Sequence, residues 1–213
     1  MVIDWLRFSA ALLLLLTPIG LFHGSRVRYR SLSRDWDGHW RRIFSLGLHA
    51  IDLGRAALGA WLLTDAVTRA PGAVGIMRHG VLGTEAAVLA VAVLAQTFVC
   101  KERDAAHAPF AFVIGLVAGF LPPMLAGFAI LLALAIAIGA RMPAALFPIL
   151  AAAVLAIGYL FHGKSLLPSV ALVAGAVMLP QLATAMFPRR LVVSYRARRS
   201  STSGEPFADV EQH

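Results

Sequence analysis

The sequence predicts an all-α protein, a polytopic transmembrane helical bundle of about seven spans (six if Pro122-Pro123 is a kink), with the N-terminus out and the C-terminus in. Three observations predict it. Apolar stretches recur along the chain, each about as long as a bilayer is thick. The arginines gather in alternate gaps between them. The composition also leaves little for a water-facing surface: 59% of the 213 residues are apolar and 14% charged, whereas soluble domains average about 45–50% and about 25%.

The first predicted span runs from Trp5 to Phe22 and contains the run Ala10 to Leu16. Asp4 in its n-region and the lack of a clear A-x-A site after the run argue for a retained span rather than a cleaved signal peptide. The second is predicted from Ile43 to Thr64, the third from Gly80 to Cys100 and the fourth from Ala105 to Leu121. The fifth follows from Met124 to Ala140, the sixth from Pro143 to Phe161 and the seventh from Ser165 to Phe187. Each has about 17–25 residues, enough at 1.5 Å per residue to cross roughly 30 Å of hydrocarbon. Phe110 to Ala140 is too long for one crossing. Pro122-Pro123 removes two donors and disfavours helix just before it, so the reading divides the stretch into two helices joined by a tight turn.

Charge supports that division. With Arg26 to Arg42 placed inside, fourteen of the 19 lysines and arginines fall on that side, four (Arg7, Arg69, Arg78 and Lys164) fall outside, and Arg55 lies within a span. Six spans would move the C-terminal arginines outside and weaken the positive-inside bias. Trp5, Tyr29, Trp36, Trp40, Trp61 and Tyr195 fall near predicted span ends, where aromatic belts sit. Residues 1–188 therefore read as one transmembrane domain, and 189–213 as a cytoplasmic tail, first basic and then disordered.

The net charge of +8 reads as a topology signal and a contact with anionic head groups, not as nucleic-acid binding. Expected partners are membrane lipids and other membrane subunits. Cys100 is the only cysteine, so neither an intramolecular disulfide nor a thiolate cluster can form. No cofactor is expected: only His49 lies deep enough to ligate a haem, and Lys164 sits at the edge of the last span.

The sharpest chemical signal is His49, Asp52 and Arg55 in the second span, at spacings that place neighbours along one helix face. A charge near mid-bilayer costs about 2.5–3.5 kcal/mol on insertion scales, so such groups face the bundle interior and mark a pathway, a relay or a structural clamp. Glu85 joins this cluster on depth, with Arg55 expected between Asp52 and Glu85 and with His49 able to exchange protons near neutral pH. The bland alternatives are a neutral Asp52–Arg55 clamp and a Glu85 that snorkels outward.

Two further groups lie at the predicted inner interface. Asp35, Asp37 and His39, with Glu102, Asp104 and His107, could hold a divalent metal against a lipid phosphate, although their spacing matches no strong metal signature. Arg26, Arg28, Arg30, Arg34, Arg41 and Arg42 form a basic loop suited to anionic lipid. Gly115 and Gly119 make a G-x-x-x-G pattern, expected to serve close packing within the bundle.

Three functions compete on these grounds. The first is a small transporter or channel built around the intramembrane charges. The second is a structural or assembly subunit of a larger membrane complex. The third is an interfacial lipid-modifying enzyme. The expected location is a membrane, of the bacterial cytoplasmic (inner) kind.

Overall fold

The computed structural model describes residues 2–18, 27–32, 47–68, 76–99, 104–187 and 189–196. Among them are seven α-helices: α1 (Trp5–Leu16), α2 (Gly47–Ala66), α3 (Ile76–Phe98), α4 (Phe110–Phe120), α5 (Pro123–Gly139), α6 (Leu146–His162) and α7 (Leu167–Met186). The segments Gly80–Phe98, Pro143–His162 and Leu167–Met186 are long and apolar enough to cross a membrane; α1, α4 and α5 are apolar but shorter. Helix α2 is 20 residues long but carries the charged residues.

Successive helices reverse direction. Strand β1 (Val2–Ile3), just before α1, pairs antiparallel with β3 (Val67–Thr68), just after α2, so the start of α1 and the end of α2 share one end of the bundle. At the other end, β2 (Val27–Ser31), β4 (Ala105–His107) and β5 (Arg190–Arg196) form one sheet with β5 in the centre, antiparallel to β2 and parallel to β4. Helices α1, α3 and α7 finish towards this sheet; α2 and α4 start from it. Phe110 at the start of α4 stacks on Phe147 at the start of α6, with centroids 5.0 Å apart. Phe128 in the second turn of α5 stacks on Phe161 at the end of α6, 6.3 Å apart. The chain therefore turns back at Pro122-Pro123, where Leu121 and Pro122 are extended, rather than kinking through it.

Helix α2 is the centre of one half, packed between α1 and α4; α5, α6 and α7 pack in sequence to form the other. The buried stripe of α2 (His49, Asp52, Ala56, Gly59, Ala60, Leu63) holds its polar groups, while Ile51, Leu58 and Trp61 are exposed. That is the reverse of a soluble helix and suits a lipid surround. Small residues bring α4 onto α2: a Cβ at Gly115 would lie 2.3 Å from the Leu53 carbonyl oxygen, and one at Gly119 would lie 2.0 Å from that of Ala57. The G-x-x-x-G pattern thus serves contact between two helices of the same chain.

Three expectations need correction. The first span was expected to reach Phe22, but α1 ends at Leu16. Thr17 Oγ1 donates to the Leu13 carbonyl at 2.6 Å, and Pro18 disfavours helix before it; residues 19–22 lie outside the described residues. The fourth was expected from Ala105, but Ala105–His107 is a strand and the helix starts after Pro109. The segment from 189, expected to be a tail, forms β5 over Arg190–Arg196. Its short apolar run of Leu191, Val192 and Val193 fits a strand, and its ladder partners lie far off in sequence, where local reading does not see them. Residues 197–213 lie outside the described residues.

Candidate functional site

Helix α1 has only 12 residues, about 18 Å at 1.5 Å per residue, so its C-terminal carbonyls end inside the bundle. Backbone acceptors there must find donors within the protein. Arg55 of α2 supplies one, donating through Nη1 to the Leu14 carbonyl. Gln96 of α3 supplies another, with Nε2 3.2 Å from the Thr17 carbonyl and 3.4 Å from that of Leu15.

Arg55 is neutralised in place. Its Nε and Nη2 donate to Asp52 Oδ1 at 2.8 and 2.5 Å, and its guanidinium carbon lies 5.2 Å from the centroid of the Phe112 ring on α4. The Arg55 and Asp52 side chains are 10% and 4% exposed. A cation at the carbonyl end of a helix also meets the negative pole of the helix dipole. Three helices, α1, α2 and α4, thus converge on one guanidinium.

One turn nearer the sheet, buried His49 places Nε2 3.4 Å from the Ser194 carbonyl of β5. The ladder explains why that carbonyl is open to it. Ala108 N–H donates to the Val192 carbonyl at 2.8 Å, and the Ser194 carbonyl, two residues on, points the same way. By then β4 has given way to α4. The Ser194 hydroxyl lies 3.1 Å from His107 Nε2, and Ser194 itself is fully buried. Sequence reasoning missed Ser194, whose contact with His49 runs through its backbone carbonyl and is not marked by residue type.

Glu85 lies elsewhere. It is buried and lines a cavity of about 530 Å³ at the far end of the bundle, together with Trp61, Thr64, Asp65, Phe120 and Ser169. His49, Asp52 and Arg55 do not line this cavity. The structure therefore joins Asp52 to Arg55 and sets His49 beside them, but places Glu85 towards the end of α2 marked by Thr64.

No family model matches this chain, and neither does any curated protein or solved structure.

Of the six groups at the predicted inner interface, Asp35, Asp37, His39 and Glu102 lie outside the described residues. Asp104 is exposed and His107 is buried against Ser194. Among the described residues, no group of three or more His, Cys, Asp or Glu could hold a metal. In the basic loop, Arg28 and Arg30 fall on β2 opposite Tyr195 and Val193; Arg26, Arg34, Arg41 and Arg42 lie outside the described residues.

Proposed function

We propose that this chain is a seven-span integral membrane protein, N-terminus out and C-terminus in, that acts as a structural or assembly subunit of a larger membrane complex. The observation that carries this reading is the packing of Arg55. Its hydrogen bonds are taken by Asp52 and Leu14 and its face by Phe112, all in a buried contact between helices. Transport through the second span calls for charges that line a wetted path, whereas these charges hold α1, α2 and α4 together. The sheet supports the assignment of sides, because it draws residues 27–31, 105–107 and 190–196 to one end of the bundle, and the positive-inside pattern puts those three segments on the cytoplasmic face. The exposed apolar residues of α2, α5 and α6 suit lipid and neighbouring subunits alike.

The test is the mass of the particle extracted directly from its host membrane into lipid nanodiscs, combined with solute uptake into vesicles that contain the purified chain alone. The expected result is a defined assembly heavier than one chain, with no uptake above empty vesicles. A lone monomer whose uptake is abolished by Asp52→Asn would overturn the proposal in favour of a transporter.

A further inference from the structure

The double proline that turns the chain also strips α4 of donors. Leu121 supplies the last N–H of that helix, to the Val117 carbonyl at 3.2 Å. The carbonyls of Ala118 and Gly119 come next, and four residues beyond them stand Pro122 and Pro123, which have no N–H to give. The end of α4 therefore presents acceptors that its own helix leaves unmatched, at the negative pole of the helix dipole. Gly119 and Phe120 line the cavity of about 530 Å³, together with Trp61, Thr64 and Asp65 of α2 and Ser169 in the first turn of α7. Val67 of β3 lines it too, so the cavity sits at the end of the bundle away from the three-stranded sheet.

The lining defines what could fill it. The volume falls in the range of about 300–1,000 Å³ typical of small-molecule sites. Thr64 Oγ1 donates to the Trp61 carbonyl at 2.8 Å, so that hydroxyl offers the cavity its lone pairs, while the Ser169 hydroxyl can both donate and accept. Both carboxylates are already engaged: Asp65 is paired with Arg7, and Glu85 has a partner of its own. Neither is assigned to a ligand, and no unshared charge calls for a cation. What remains is a set of neutral acceptors beside aromatic surface, with Trp61 54% exposed. An apolar ligand would leave the Gly119 carbonyl bare. A neutral ring that carries several hydroxyl donors on its rim and a flat C–H face meets the acceptors and the rings together.

We propose that this cavity binds a pyranose sugar, its hydroxyls donating to the Gly119 carbonyl and to Thr64 and its C–H face lying on Trp61. A free sugar and the head group of a glycolipid share that chemistry. This inference is independent of the subunit reading: a subunit or a lone protein could carry the same site.

The full chain in nanodiscs of neutral, sugar-free lipid would be titrated with radiolabelled methyl glucoside, methyl galactoside and methyl mannoside, with empty nanodiscs as background. The expected result is saturable binding of one molecule per chain for at least one of the three. Cyclohexylmethanol, which keeps a six-membered ring but has a single hydroxyl, and glycerol, which has hydroxyls but no ring, should each compete at least about tenfold more weakly. Trp61→Ala should weaken binding about tenfold, and Trp61→Phe, which keeps an aromatic face, should weaken it less. If Trp61→Ala does not fold, Ser169→Phe fills the cavity from the first turn of α7 and should abolish binding. The bound sugar carried on a diacylglycerol in the disc lipid separates the two sources: displacement of the methyl glycoside by it assigns the site to a glycolipid head group, and no displacement assigns it to a free sugar. No saturable binding of any of the three glycosides, equal competition by cyclohexylmethanol, or wild-type binding in the folded variants would overturn the proposal.

Discussion

Arg55 reaches back 41 residues to donate a hydrogen bond to the main-chain carbonyl of Leu14, within the last turn of α1. This relationship explains how a 12-residue helix can stop inside an apolar bundle. The carbonyls left by its last turn are met from two other helices, by a cation from α2 and by the Gln96 amide from α3. The charge that the sequence marks as costly therefore replaces a different cost, that of bare backbone acceptors in hydrocarbon.

Gln96→Leu removes the amide that meets the Leu15 and Thr17 carbonyls while keeping the side chain's bulk. A buried acceptor left without a donor costs about 1–3 kcal/mol. The expected outcome is a lower thermal midpoint in detergent with an unchanged helical circular dichroism spectrum. Gln181→Leu on α7, outside the end of α1, serves as the comparison and should change α1 protection from hydrogen exchange less than Gln96→Leu does.

The close approach of α2 and α4 makes a second expectation. Gly115→Ala and Gly119→Ala each push a methyl into a backbone carbonyl of α2, and overpacking of this kind costs about 1–3 kcal/mol. Gly127→Ala and Gly175→Ala meet open space and should be neutral or stabilising by up to about 1 kcal/mol, from helix propensity alone. Thermal melts of the four variants should therefore separate into two pairs, with Gly115→Ala and Gly119→Ala lowered and Gly127→Ala and Gly175→Ala unchanged or raised.

The sheet can be tested by cross-linking. Ser31 and Val192 face one another in the β2–β5 ladder. Leu32 N–H donates to the Leu191 carbonyl, so the neighbouring Ser31–Val192 pair is a non-hydrogen-bonded one, with Cα atoms expected about 4.5 Å apart. That separation admits a disulfide. In a Cys100→Ser background, Ser31→Cys with Val192→Cys should oxidise nearly completely without loss of fold. The one-residue slip, Ser31→Cys with Val193→Cys, should not.

Sidedness is checked separately. A cysteine placed at Val2 should react with a membrane-impermeant maleimide added from outside, while one placed at Ser200 should react only after the membrane is opened. Reaction of both from outside would contradict the odd number of crossings.

Much of this fold was legible in the chain. Helices α3, α6 and α7 match stretches long and apolar enough to cross a membrane, and Pro122-Pro123 marks a reversal because two prolines leave helix no way through. The strands were not legible in the same way. Val27–Ser31 and Arg190–Arg196 read first as charge clusters, and only their pairing across the length of the chain makes them a sheet. The site was legible in half. Asp52 and Arg55 sit one turn apart, so the helix period alone pairs them. Glu85 was assigned to them by depth, and depth along an axis says nothing of which side of a neighbouring helix a residue faces. Leu14 and Ser194 act largely through backbone carbonyls, and residue type carries no mark of that.

The central claim is that Asp52 and Arg55 form a buried clamp that seals the end of α1. A double-mutant cycle of unfolding free energies on Asp52→Leu, Arg55→Met and the two together tests it most directly. Each single variant strands a buried charge and should lose about 3–5 kcal/mol. The double variant should lose clearly less than the sum of the two, because it strands only the Leu14 carbonyl. Single variants as stable as the wild-type chain, or losses that simply add, would contradict the clamp.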